Sequence, residues 1–224
     1  AGGLVAYRWD AAGRMLERVQ DPDGLKLSTS YSWDALGRQV SVTDAAGLET
    51  AYRYDARGQL LEQSVDPHGL KLTTSYQYDA AGRQVSVTDA AGVKTEYSYD
   101  ALGRRTSERL DPAGLNLQRS YSYDAAGNVI GVTDAAGALT RYVLDAAGRT
   151  RYEIGPAGSL IAYEYDGAGR VLSQRAYAQA LDTSAWGTST PSLQQVADSL
   201  QAQGLANSAR DAYTRYSYNA DGQL

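Results

Sequence analysis

The chain has 224 residues, 43% of them hydrophobic, with a net charge of −5 at pH 7 and no cysteine. The acidic balance argues against a surface that tracks nucleic-acid phosphates. The missing thiols exclude disulfides, thiolate zinc sites and cysteine nucleophiles, and no stretch approaches the roughly 20 apolar residues of a membrane span. The aromatic set is 18 Tyr and three Trp with no Phe. Rings with polar tips suit a half-exposed or internally hydrated face better than a sealed oily core.

A motif, Tyr-x-Tyr/Trp-Asp-Ala-x-Gly-Arg, punctuates the chain at intervals of 24 or 21 residues. Its Asp falls at Asp10, Asp34, Asp55, Asp79, Asp100, Asp124, Asp145 and Asp166, and a degenerate copy places Asn219 there. Such a period marks a repeat array in which each unit packs on its neighbours. Between these copies lies a second reversal of two kinds. Asp-Pro-x-Gly occurs at Asp21–Gly24, Asp66–Gly69 and Asp111–Gly114, and Thr-Asp-Ala-Ala-Gly at Thr43–Gly47, Thr88–Gly92 and Thr133–Gly137. Asp bonds the backbone two residues on, Pro presets φ, and Gly is expected in the left-handed position that closes the loop.

The segments between reversals alternate as half-buried strands do. Leu25, Leu27, Thr29, Tyr31 and Trp33 share one face against Lys26, Ser28, Ser30, Ser32 and Asp34, and Leu48, Thr50, Tyr52 and Tyr54 repeat the pattern. Val40 and Val42 alternate cleanly, whereas the adjacent Leu60 and Leu61 predict a bulge beside the turn. About sixteen strands up to Asp166 would form a ribbon about 75 Å wide. An open twisted sheet of that width with one apolar face must curl, either as a filled spiral or as one sector of a larger shell. The tyrosine rings are expected to face a common inside and to supply most of the burial.

After Asp166 the next copy is delayed by 53 residues. There, Thr190 can cap a helix with Pro191 at its first position. Leu193, Val196, Ala197 and Leu200 share a face, and Gly204 ends the run. The reading is a short amphipathic helix that packs on the sheet or caps its edge, or else serves as a plug or docking element, with Trp186 as an anchor. The organisation is therefore residues 1–176 as the hairpin array, 177–212 as a helical insertion and 213–224 as the resumed repeat, one continuous body within a longer protein.

No catalytic, cofactor-binding or metal-binding residue stands out. The aspartates recur at turn starts, where backbone bonding accounts for them, and no calcium loop pattern is present. His68 sits at a turn position that sister units fill with Asp23 and Ala113, as a solvated site would. Arg14, Arg38, Arg83, Arg104, Arg149 and Arg170 are expected to pair with nearby carboxylates or line the sheet edge, and Gln59 and Asn128 replace them without breaking register.

Repeated Tyr-x-Tyr-Asp-Ala-x-Gly-Arg, as at Tyr76–Arg83 and Tyr97–Arg104, resembles the RHS/YD-repeat family, which includes bacterial polymorphic toxins, insecticidal toxin-complex C subunits and the animal teneurins. The match covers roughly residues 5 to 175 and 213 to 224. The resemblance implies an all-β array of antiparallel hairpins curling into a spiral, cocoon-like shell, with one short α-helical insertion. It also implies a secreted or cell-surface bacterial protein whose shell encloses or presents a C-terminal effector or toxin domain. The partners would be neighbouring repeats and that effector. The second reading is a surface adhesin or spacer array that binds glycan or a partner protein. The self-cleavage residues of toxin-bearing members have no counterpart to carry over.

Overall fold

The computed structural model describes residues 4–206, 209–219 and 221–223. Residues 1–3, Ala220 and Leu224 of the expected repeat segments, and Asn207 and Ser208 of the expected insertion, lie outside the described residues. The chain forms two compact units, Ala1–Ser98 with Arg109–Asn116, and Tyr99–Glu108 with Leu117–Leu224.

The first unit is a meander of β1 (Val5–Trp9), β2 (Met15–Gln20), β3 (Leu27–Trp33), β4 (Gln39–Thr43), β5 (Glu49–Tyr54), β6 (Leu60–Val65), β7 (Leu72–Tyr78), β8 (Gln84–Thr88) and β9 (Lys94–Tyr99), each paired antiparallel with the next. β9 and β10 (Arg105–Leu110) run across the division between units. The second unit continues with β11 (Leu117–Tyr123), β12 (Val129–Thr133), β13 (Leu139–Leu144), β14 (Thr150–Ile154), β15 (Leu160–Tyr165) and β16 (Val171–Ala176). It then carries helix α1 (Leu193–Ala202) and returns to pair β17 (Ala212–Arg215) with β16. The protein is all-β and antiparallel with one short α-helix, as the repeat spacing predicts.

Each turn after a Tyr-x-Tyr/Trp-Asp motif is the same object. In Asp34–Arg38 the Asp34 amide donates to the Arg38 carbonyl at 2.9 Å, the Gly37 amide donates to the Asp34 carbonyl at 3.0 Å, and Gly37 adopts φ +79°. This is a three-residue hairpin loop with its glycine in the left-handed region. The bulge expected beside Leu60 and Leu61 is present, since Arg53 faces Glu62 while Tyr54 faces Leu60. It recurs where β3 meets β4, β7 meets β8, and β15 meets β16, so one extra residue per turn is a rule of the array.

The Asp-Pro-x-Gly turns depart from the expectation. Their left-handed residues are Asp21 and Lys26, Asp66 and Lys71, and Asp111 and Asn116, not the glycines. Gly24, Gly69 and Gly114 are needed because a Cβ at any of them would collide with the carboxylate of that turn's own Asp, which accepts from the amide four residues on, as Leu25 to Asp21 at 2.9 Å. Asp tolerates the left-handed region better than most residues because its short side chain bonds locally.

Cross-strand partners share a face, so the register sorts the side chains. Tyr31 faces Val42, Val42 faces Thr50, and Thr50 faces Val65 on one side. Ser32, Ser41, Ala51 and Ser64 follow one another on the other. One side of the sheet is thus a tyrosine face and the other a serine face.

Candidate functional site

The tyrosine rings do not make a sealed core, which corrects the expectation that ring burial dominates. No tyrosine among the described residues is fully buried; each motif instead ties one hairpin to the next. Asp34 accepts at Oδ1 from the amides of Leu36 and Arg38, and at Oδ2 from Arg38 Nε at 2.6 Å. Arg38 then donates to the carbonyl of the next motif aspartate, Asp55, at 2.8 Å. Arg14 reaches the Asp34 carbonyl and Arg104 the Asp124 carbonyl in the same way. Where glutamine replaces arginine, Gln59 still reaches the Gly82 carbonyl at 3.2 Å. The arginines therefore hold their own turn carboxylate, as expected, and also stitch successive turns.

Except at Asp145, which Leu144 precedes, the second aromatic of the motifs named here completes the link. It donates to the carbonyl of the residue that follows the previous turn's arginine: Tyr54 to Gln39 at 2.9 Å, Tyr123 to Arg105 at 2.6 Å, Tyr165 to Thr150 at 2.7 Å and Tyr218 to Val171 at 2.9 Å. Trp33 does the same from Nε1 to Met15 at 2.7 Å. The rings of Tyr54, Tyr123, Tyr165 and Tyr218 lie 4.6–5.0 Å from the guanidinium carbon of the arginine they overlie, within cation–π range. Tyr and Trp both offer a ring and a donor, whereas Phe offers no donor. That accounts for the absence of Phe at these positions.

Two measurements check this linkage. Tyr78→Phe removes the donor to the Leu60 carbonyl and is expected to lower stability by about 0.5–1.5 kcal/mol. Tyr76→Phe, two residues away with a hydroxyl that bonds none of the described residues, is expected to be near neutral in the same urea titration. Acid is the second probe. The Arg38 amide, then the Arg38 side chain, hold the Asp34 carboxyl below its usual 3.8 despite partial desolvation. The amide of the turn arginine acts first in the same way on Asp10, Asp79, Asp100 and Asp166, while on Asp145 the Arg149 side chain leads. A carboxylate with a lowered folded pKa stabilises the fold above its unfolded value, and that contribution disappears as pH falls through the folded value. Thermal midpoints are expected to be flat above about pH 5 and to drop below about pH 4; a flat profile down to pH 2 would remove the carboxylates from the account.

The second unit holds the fully buried apolar side chains of the described residues. Val143, Ile154 and Leu160 of the sheet meet Leu181, Val196, Leu200 and Leu205 of the insertion, with Tyr152, Tyr177, Trp186 and Leu193 packed around them. The helix is capped by Ser192, not Thr190. Ser192 Oγ accepts from the Gln195 amide while the Gln195 side chain accepts from the Ser192 amide, a capping box. Thr190 instead donates to the Ile130 carbonyl at 2.9 Å. At the other end Gly204 takes φ +69°, and the Leu205 amide reaches the Leu200 carbonyl at 2.8 Å, the Schellman arrangement.

The helix lies on the serine face. Ile154 stands where sister strands have Thr43, Thr88 and Thr133, Tyr152 where they have Ser41, Ser86 and Gly131, and Val143 where they have Arg53 and Ser98. At these positions residues that are polar or small in the sister strands become large and apolar beneath the insertion, a signal readable by aligning the repeats with themselves. Two arginines of the same face fasten it. Arg141, 4% exposed, donates to the carbonyls of Ser189 (2.9 Å) and Gly187, and burial pulls its pKa below the usual value. Arg175 pairs with Asp211, donates to the Ala206 carbonyl at 3.0 Å, and lies 4.2 Å from the Tyr177 ring. Between helix and sheet remains a space of about 310 Å³ whose lining includes Tyr152, Ser173, Arg175, Ala197 and Leu200.

His68 stands exposed at its turn, 3.4 Å from a Glu49 carboxylate oxygen. No cluster of three or more His, Cys, Asp and Glu could hold a metal among the described residues. No helix there is long and apolar enough to cross a membrane.

Fold and side chains together define a hairpin-repeat scaffold protein, cross-linked turn to turn. The RHS Repeat family matches residues 19–49, 33–71, 54–94, 78–115 and 123–151, more than half of the chain, and the chain belongs to that family. No curated protein matches it. Among solved structures it is similar to the crystal structure of TcdB2–TccC3, with TM-score 0.65 and 22% identity over 83% of this chain and 11% of that one. It is also similar to TcdB2–TccC3 without its hypervariable C-terminal region, with TM-score 0.50 and 20% identity over 78% of this chain and 12% of that one. The chain thus spans about a tenth of the structures it matches, and at these identities the likeness concerns the fold.

Proposed function

We propose that the chain is wall material: a structural stretch of a β-shell in a secreted or surface-displayed bacterial protein, enclosing or presenting a C-terminal effector domain, with no reactive centre of its own. Residues 1–176 and 213–224 would be wall and 177–212 an element seated on it. The observation that carries this reading is the turn-to-turn linkage, in which every motif carboxylate and arginine described above is spent on holding hairpins together. No buried side-chain nitrogen or oxygen among the described residues lacks a partner, as a rigid scaffold requires. The effector part draws support from TcdB2–TccC3, which carries a hypervariable C-terminal region. Trp186, a candidate anchor for an adhesive surface, is packed against the insertion's core instead.

The test is protease protection in the full-length parent. Its segment downstream of residue 224 should resist trypsin while the array is intact and be digested once expressed alone. A parent without such a segment, or one whose segment is cleaved equally in both forms, would overturn the reading.

A further inference from the structure

One motif copy in the first unit has glutamine in place of arginine, and the groups that an arginine holds elsewhere are left without it. In sister turns the guanidinium has three partners. Arg38 Nε meets Oδ2 of its own turn aspartate, Asp34, at 2.6 Å; Arg38 Nη1 meets the carbonyl of the next motif aspartate, Asp55, at 2.8 Å; and the group lies 5.0 Å from the Tyr54 ring. The Gln59 side chain passes the corresponding groups by and donates to the Gly82 carbonyl at 3.2 Å. Asp55 accepts only at Oδ1, from the amides of Arg57 and Gln59 at 2.8 Å, and no described residue donates to its Oδ2. The Asp79 carbonyl takes the Gly82 amide of its own turn and no side chain among the described residues, none of which lays a guanidinium over Tyr78. Arg57 is exposed and reaches the Ala80 carbonyl at 2.9 Å instead. Asp55, Tyr78 and Asp79 line one open recess of about 370 Å³, together with Arg57, Gln59 and Leu61. The missing cation is felt at the ring. Burial, then Tyr76 and Asp55, push the Tyr78 hydroxyl above its usual value; at Tyr165, also raised, the pull of Arg149 opposes that of burial and Asp145. Asn128, the other replacement, leaves no such gap, because its Nδ2 donates to Asp124 Oδ2 at 2.9 Å and Leu144 takes the place of the ring.

We propose that this recess binds a monoalkyl guanidinium, the head group of an arginine supplied from outside the chain. The class of ligand follows from the contacts that the array makes to its own arginines. The Asp55 carboxylate supplies charge and one acceptor, the Asp79 carbonyl a second acceptor, and the Tyr78 ring a face for a flat cation. A guanidinium presents its donors in a rigid planar fork and can bridge two acceptors while lying on the ring, whereas an ammonium is a compact point charge that cannot. One free carboxylate oxygen and one carbonyl are too few ligands for a calcium or magnesium ion. The recess exceeds the head group in volume, and Leu61 offers apolar surface to the methylene stem that follows it. The site is open to water, so the head group alone binds weakly, with a dissociation constant of about 1–50 mM.

Amide NMR of the isotope-labelled 224-residue chain, titrated with methylguanidinium chloride to about 100 mM against a sodium chloride reference of equal ionic strength, tests this. The expected result is a set of saturable shifts centred on residues 55–59 and 78–82, with methylammonium binding at least about fivefold more weakly. Gln59→Arg, which supplies the chain's own guanidinium, and Asp55→Asn should each weaken binding at least about tenfold. Asparagine suits this turn, because Asn219 holds a sister turn by accepting the Asp221 and Gln223 amides at Oδ1. Unchanged amide spectra away from the recess verify that the variants are folded; if Asp55→Asn is not, Gln59→Arg carries the comparison. Acetyl-arginine amide and free arginine identify the source: tighter binding of the first assigns an arginine within a polypeptide, and of the second the free amino acid. Shifts that do not saturate, equal binding of methylammonium, or binding undiminished in Gln59→Arg would each overturn the proposal. The outcome is independent of whether the parent encloses an effector.

Discussion

Arg175→Ala is expected to lower the stability of the second unit by about 3–5 kcal/mol, as removing one partner of a buried ion pair does. The Asp211 side chain is 1% exposed and that of Arg175 16%. Deleting the guanidinium therefore breaks the ion pair that this enclosed carboxylate makes with Arg175, and also removes the donors to the Leu205 and Ala206 carbonyls. Because Asp211 immediately precedes β17 and Ala206 follows the helix, the loss falls on the segment that returns the chain to the sheet. Hydrogen exchange should show lost protection in Leu193–Ala202 and Ala212–Arg215, with β3 to β8 unchanged. The double variant Arg175→Ala/Asp211→Ala should recover part of the loss, since it buries no lone charge. Single variants within about 0.5 kcal/mol of wild type would show that the pair is exchanged for water at little cost.

Much of this molecule is legible in its sequence for a definable reason. Turn chemistry is local: Asp34 bonds amides two and four residues on, and Gly37 supplies a positive φ, so spacing alone places the reversals. Strand faces follow from alternation, and the adjacent pair Leu60–Leu61 reveals a bulge that recurs where β3 meets β4, β7 meets β8 and β15 meets β16. The Schellman end at Gly204 is equally local.

What the sequence hides is where partners lie across strands. Tyr54 looks like a core residue because its ring is large and its strand alternates. Its role comes from the Gln39 carbonyl and the Arg38 guanidinium one hairpin away, contacts fixed by bulge and register together. The absent Phe carries the clue, since hydrogen bonding explains it where burial does not. Arg141 is hidden similarly. In the repeat it is one more polar residue on the serine face, equivalent to Ala51 and Glu96, until the insertion places two carbonyls over it. The choice of Ser192 over Thr190 as cap depends on the same tertiary contact, because the Thr190 hydroxyl is already committed to Ile130. The site of the insertion on the sheet was nevertheless written in the repeat, through Tyr152, Ile154 and Val143.

Gly158→Ala should separate turn geometry from tertiary contact. Gly158 has φ +79° and Gly92, in a sister turn, φ +82°, so alanine meets the same left-handed strain at both, about 1–2 kcal/mol. Nothing lies within 4 Å of a Cβ at Gly92, whereas at Gly158 it would run into the backbone carbonyl of Leu181. A backbone obstacle cannot rotate aside. The strand of insertion that bonds the Gly158 carbonyl through the Leu181 amide at 2.8 Å must lift, and with it Leu181, 2% exposed, leaves Ile154 and Leu160. Withdrawing a buried leucine from such a cluster costs about 2–5 kcal/mol. The total expected for Gly158→Ala is therefore about 3–7 kcal/mol, against about 1–2 for Gly92→Ala. Urea midpoints of the two variants give the comparison, and trypsin cleavage at Arg175 should accelerate only in Gly158→Ala. Equal midpoints would mean that the insertion yields without loss, and that its hold on the sheet rests on Arg141 and Arg175 rather than on the apolar cluster.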